Sequence, residues 1–223
     1  EATTEEATTE EATTEEATTE ETTTEETTTE EATTEEPATE EERTEETLHH
    51  GRREAFGSQR LPGDAVIALP GPVACSFLPD GHYTPRLARQ AHARNKEVML
   101  HLPMQASSHG PAIPGELRLD MSRRVFMDTL RKNVEAIPYL SGINNHRGSL
   151  LTRHPGHMSW LMEEILRAGG LYFVDSYTTH HSVALQIASE QGVPAIKRDV
   201  FLDSDPAPES VAQEFERFKA LAR

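Results

Sequence analysis

The chain holds a single cysteine, Cys75, so no internal disulfide framework can form and the redox compartment stays open. Cys75 lies in an apolar run, which suits a buried, inert thiol better than a nucleophile. No run approaches the roughly 18 apolar residues of a bilayer-spanning helix. The chain opens on Glu1 without a signal-peptide pattern, which leaves a targeting segment removed or unrecorded. HExxH, CxxC, GxSxG and a phosphate-binding glycine loop are all absent, which removes the zincin, α/β-hydrolase and P-loop signatures. Basic residues are scattered and do not interleave with the aromatics, which make up 5% of the chain, so nucleic acid is not expected as a partner.

Positive charge is nearly missing from the first 46 residues. They hold 20 of the 38 acidic residues and one base, Arg43, so the formal net charge of −17 describes a tail. Residues 47–223 carry 18 acidic and 20 basic residues and are about neutral. Up to residue 36 the tail is a repeat of EATTE, with Thr for Ala at positions 22 and 27, and no Leu, Ile, Val or aromatic precedes Leu48. A period of five fits neither helix nor strand, and no core can form, so disorder is expected. An acidic spacer, a linker open to O-glycans, and a repetitive sequence joined to a truncated domain are the three readings of this segment. His49 and His50, in a polar basic stretch, read as solvent-exposed loop residues. The remaining 177 residues fit one domain.

Within that domain, strand and helix patterns alternate. After Asp64, AVIAL and VACSFL are divided by Pro70-Gly71-Pro72, and the second piece reads as a strand. Thr84-Pro85 opens a helix to about residue 94. EVMLHLPM, Glu97 to Met104, is an unalternated apolar strand of the kind buried on both faces of a parallel sheet. A long aperiodic connection follows to Leu119, and Ser122 caps a helix to about Ile137. LSGIN is the third strand, His154-Pro155-Gly156 turns into a helix that Gly169-Gly170 stops, and LYFVD is the fourth strand. A helix over Val183 to Ala188, a fifth strand from Pro194 to Asp203, and a last helix with Val211, Phe215, Phe218 and Ala222 on one stripe complete the pattern. Five alternations predict an α/β domain with parallel strands in a barrel or an open sheet.

Polar residues cluster where these strands end. The stretch Tyr139 to His154, YLSGINNHRGSLLTRH, passes from an apolar run into Asn144, Asn145, His146, Arg147, Gly148 and Ser149. These groups could orient an imidazole or a substrate, and a network closing a loop over Gly148 would read the same. His101 interrupts an apolar strand, as a metal ligand or as a satisfied core histidine. Asp175 closes LYFVD and could bind a ligand, polarise a histidine or cap the next helix. Two His and an Asp on separate strands suit Zn²⁺ or a similar divalent ion, although spacing alone is weak evidence.

The motifs LPGPVACSFLP, KEVMLHLPM, GELRLDMS, GINNHRGSLLT, LYFVDSYTT and VPAIKRDVFLD, taken in order, resemble the divergent polysaccharide deacetylases (YibQ-like) over about residues 60–223. The resemblance implies a NodB-like distorted (β/α) barrel and a metal-dependent carbohydrate deacetylase acting on N-acetyl or O-acetyl groups. It also implies an exported, periplasmic or cell-envelope protein with a carbohydrate or peptidoglycan-like polymer as partner. By it, His101 and His146 are metal ligands, with Zn²⁺ the first candidate, and Asp175 is the catalytic candidate. Asn144, Asn145, Arg147 and Ser149 are candidate substrate contacts, and Arg147 stands where the family most often has Met.

Two departures accompany the match. The family opens on an apolar strand ending in Asp-Asp, whereas the corresponding place here is Glu40 to Leu48, EEERTEETL. It also continues past the last helix into a further strand and a Gly-His-Pro segment. The expectation is therefore a barrel incomplete at both ends, with the histidine half of a metal shell and deacetylase activity weak or absent. A non-catalytic carbohydrate-binding, cell-envelope-binding or scaffold domain is the alternative.

Overall fold

The computed structural model of the protein describes residues 60–222 except residue 109. The Glu/Thr repeat, the stretch 40–48, His49 and His50, and the expected domain boundary at residue 46 lie outside the described residues.

Helix α1 spans Arg60–Ile67, so AVIAL is the end of a helix and the turn after it. Pro62 is tolerated there because first-turn N–H groups have no intrahelical partner. The order continues with β1 (Ala74–Phe77), α2 (Thr84–Ala93), β2 (Glu97–Met104), α3 (Arg123–Glu135) and β3 (Leu140–Arg147). A short 3₁₀ turn (Leu151–Arg153), α4 (Pro155–Ala168), β4 (Tyr172–Asp175), α5 (Ala184–Gln191), β5 (Ala195–Lys197) and α6 (Pro208–Leu221) follow. Ser122 Oγ caps α3 by accepting from Val125 N–H at 3.4 Å, and Gly192 ends α5 in the left-handed region with φ +75°, whereas Thr84 is the first residue of α2 rather than its cap and its Oγ1 donates to Leu78 O at 2.8 Å. The fifth strand is three residues long where ten were expected: its partner β4 ends at Asp175, whose carbonyl takes the last bond, from Arg198 N–H at 2.8 Å.

The five strands form one parallel sheet in the order β1-β2-β3-β4-β5. Side chains alternate across a strand, so each face collects every second residue. Cys75, Phe77, Val98, Leu100, Leu102, Met104, Ile143 and Phe173 all enter one core cluster with buried residues of α2 to α5. The alternate set, which includes Met99, His101, Asn144, His146, Tyr172 and Val174, contributes nothing to that cluster. Helices that follow adjacent parallel strands by right-handed crossovers fall on one face, which accounts for this division. Burying each large apolar side chain of the covered face is worth about 1.5–3 kcal/mol.

Helix α4 is tied to α3 by Glu164, 1% exposed, which accepts from Arg131 Nε at 3.1 Å and from Arg167. Burial pushes this carboxyl up, but the hydrogen bonds from Arg167 and Arg131 outweigh it and leave the group below the usual carboxylate range.

On the other face, Tyr172 lies across from Gly142, and a Cβ on the glycine would come within 2.8 Å of the Tyr172 ring. The phenol donates to Glu97 Oε2 at 2.9 Å, and burial followed by that bond pushes it up to about 12. Gly142→Ala is expected to displace the ring and lower stability by about 1–3 kcal/mol in urea denaturation. An unchanged midpoint would show that the ring does not depend on the glycine.

Candidate functional site

Two strands place the histidine pair. Register sets His101 beside Asn144 and Pro103 beside His146, so the two imidazoles are diagonal neighbours on the face opposite the helix-covered core. His146 Nδ1 lies 3.0 Å from His101 Nε2, with ring centroids 4.7 Å apart at 62°. One nitrogen donates to the other, so the two rings share one tautomer, both Nδ1–H or both Nε2–H. His146 is 8% exposed. Asn144 shares their face, donates through Nδ2 to Ser176 Oγ at 3.3 Å, and keeps a buried Oδ1 that makes no hydrogen bond.

The residues of the opposite parity hold this arrangement from behind. Asn145, 1% exposed, donates through Nδ2 to Arg147 O and accepts Ser176 N–H at its Oδ1, both at 2.7 Å. Ser176 Oγ donates to Asn145 O at 2.6 Å, and Thr178 Oγ1 donates to Arg147 O at 3.1 Å. Both backbone neighbours of His146 are thus bonded to the loop after β4. Arg147 and Tyr177 have φ of +57° and +51°, left-handed values that bulky residues rarely adopt. Gly148 follows at φ +98°, where a Cβ would meet Met104 Cβ at 3.1 Å, so the turn needs glycine.

The connection from Gln105 to Leu119 closes on the same strand ends. Leu117 occupies the edge of β2 that the shorter β1 leaves, donating to Pro103 O and accepting from Gln105 N–H, each at 2.9 Å. Ser149, fully buried, accepts Ser107 N–H at 2.9 Å and lies 3.1 Å from Ser107 Oγ. Glu116, 5% exposed, accepts from Arg118 Nη1 at 3.0 Å and pairs with Arg147 Nη1 at 3.8 Å.

The structure therefore brings together His101, His146 and Asn144. Asn145, Arg147 and Ser149 have polar atoms engaged in bracing the strand ends. Asp175, 1% exposed, shares the parity of Phe173, away from the histidine face. Its Oδ1 accepts Tyr177 N–H at 2.8 Å and its Oδ2 accepts Ser182 Oγ at 2.6 Å, so it organises the loop from 176 to 182. Burial pushes its carboxyl up, against the hydrogen bonds of Ser182 and Tyr177 and the charges of Arg198 and Lys197. Glu116, Ser107, Ser182 and Thr178 were missed by sequence reasoning. Glu116 lies inside the GELRLDMS motif, and that motif is the only signal that pointed to it.

Nitrogens 3.0 Å apart fit a shared ion, because two Zn–N bonds of about 2.0–2.1 Å can span that gap. Among the described residues no group of three or more His, Cys, Asp or Glu converges to hold a metal, so the pair fits two positions of a shell. Among the described residues no helix is long and apolar enough to cross a membrane.

A parallel sheet flanked by helices is consistent with a NodB-like fold. Residues 54–223 match the divergent polysaccharide deacetylase family, and the chain belongs to it. It is 36% identical over 168 residues to the uncharacterised protein YibQ of Escherichia coli K12, covering 75% of this chain and 52% of that one. An uncharacterised protein of Haemophilus influenzae Rd is 32% identical over 159 residues, with 71% and 56% covered. The chain thus spans about half the length of the curated relatives it matches. The fold also resembles the crystal structure of an uncharacterised Agrobacterium tumefaciens C58 protein, with TM-score 0.70, 22% identity, and 75% of this chain and 69% of that chain covered.

Asp175→Asn offers an N–H₂ where one of two donors now points and is expected to cost about 1–3 kcal/mol. A raised carboxyl stabilises the fold fully below its unfolded value, and that contribution is lost as pH rises through the folded value. The advantage of Asp175 over Asn should therefore grow as pH falls from about 7 towards about 4. Denaturation of both proteins across that range checks it, and a difference that shrinks on acidification would contradict the assignment.

Proposed function

We propose that the chain carries the histidine wall of a metal-dependent carbohydrate deacetylase site, acting on N-acetyl or O-acetyl groups of a polysaccharide. The observation that carries this reading is the His101–His146 pair, two imidazole nitrogens 3.0 Å apart at the strand ends of a family member. His101 and His146 would hold a divalent ion, Zn²⁺ first among the candidates, which when bound supplies Lewis acidity towards the acyl carbonyl oxygen. Asn145 and Asp175 act by holding the strand ends, and Ser149 by holding the loop at Ser107.

No two Asp residues are adjacent anywhere in the sequence, so the Asp-Asp pair that the family resemblance implies is not supplied by this chain. Acetyl release by this polypeptide alone is accordingly weak or absent. The second reading is a non-catalytic carbohydrate- or cell-envelope-binding domain, favoured by the two-ligand shell among the described residues. The sheet order and one-sided helix cover support a NodB-like distorted (β/α) barrel, and the family supports an exported setting in the periplasm or cell envelope.

Zn²⁺ titration calorimetry on the purified chain tests the reading. Uptake at one site is expected, weakened by about tenfold or more in His101→Ala and in His146→Ala. Equal uptake by all three proteins would sink it. Binding of N-acetylglucosamine oligomers that is indifferent to a chelator would favour the non-catalytic domain.

A further inference from the structure

The residue after His146 is a buried arginine whose charge is met by another part of the chain. Arg147 is 6% exposed, ends β3 with φ +57°, and its backbone carbonyl receives the Asn145 and Thr178 hydrogen bonds that fix the turn. Its Nη1 lies 3.8 Å from Glu116 Oε1, and Glu116 is 5% exposed. A buried guanidinium needs a compensating charge, which Glu116 supplies to Arg147.

Glu116 is itself held firmly. Its neighbour Leu117 is hydrogen-bonded to the edge of β2 on both sides, and Gly115 O accepts from Asn133 Nδ2 at 2.8 Å. Leu119 N–H donates to Gln105 Oε1 at 2.8 Å, which closes the connection at its far end. The second carboxylate oxygen of Glu116 is occupied by Arg118, whose side chain is 32% exposed. Glu116 thus joins a surface arginine, a closed loop and the residue that follows His146.

We infer that Arg147 is a positioning residue, and that the buried Glu116–Arg147 pair couples the 105–119 connection to the turn that aims His146 at His101. Metal affinity at the histidine pair then depends on two side chains that do not touch the ion. The inference rests on the proposed metal site, and its test separates the two.

Glu116→Gln leaves a buried guanidinium without its carboxylate, Arg147→Met leaves Glu116 with Arg118, and the double variant removes both buried charges. Zn²⁺ affinity is measured by competition with a chromophoric chelator, with thermal melts confirming that each protein is folded. Imidazole ¹H–¹⁵N spectra of the metal-free proteins report the position of His146. Glu116→Gln is expected to weaken Zn²⁺ binding about tenfold or more, Arg147→Met less, and the double variant to return within a few-fold of wild type. The His146 resonances are expected to shift in Glu116→Gln and to return in the double variant. Wild-type affinity in folded Glu116→Gln, or no recovery in the double variant, overturns the coupling. If wild type and His146→Ala bind Zn²⁺ equally, the metal reading fails, and unchanged His146 resonances in Glu116→Gln would overturn the positioning role independently. Should Glu116→Gln not fold, Arg147→Met and the double variant decide alone, and the coupling fails if Arg147→Met binds Zn²⁺ no more weakly than the double variant.

Discussion

Everything at the site depends on the separation of one parallel sheet into two chemically different faces. Once helices cover Cys75, Phe77, Leu100, Leu102, Ile143 and Phe173, the two-residue period commits His101, Asn144 and His146 to the other side. A one-residue slip of β3 would turn His146 into the helix interface and Ile143 out of it. The same packing energy that holds the core therefore sets the register that lets two imidazoles meet at 3.0 Å.

The strand ends show how that register is converted into a fixed pair. Residues facing the helices at this level are polar: Asn145, Arg147 and Asp175, all buried. The side chains of Asn145 and Asp175 bond backbone atoms of neighbouring segments, so the chain can leave β3 and β4 through left-handed residues that cost about 1–3 kcal/mol each in isolation. Strain at Arg147 and Tyr177 is offset by bonds that converge on Arg147 O and Asp175 Oδ1. Polarity behind the histidines is structural.

Much of the fold was legible. EVMLHLPM matches β2 residue for residue, because an apolar run bounded by Asn95-Lys96 and a Ser/Pro/Gly loop has few other solutions. The stops at Gly169 and Gly192 also stand where the glycines predict them. AVIAL was ambiguous, since five apolar residues fit a strand or the last turn of a helix equally. β3 was expected to end at Asn144 and runs on to Arg147, because β2 receives its backbone and Ser176 braces it on the other side, against the poor strand propensity of Asn. The fifth strand was overread from PAIKRDVFLD, whose apolar residues leave the sheet after Lys197.

The site divides the same way. Sequence alone determined which residues were polar at the strand ends, that His101 interrupts an apolar strand, and, through six ordered motifs, the family to which the chain belongs. Those are local properties or properties of order along the chain. Only the tertiary structure decided that His101 and His146 meet, that Asp175 faces the other way, and that Glu116, 31 residues before Arg147, neutralises it. Contacts across strands and loops depend on register and on the closure of the connections between them. No spacing within one segment encodes either of these.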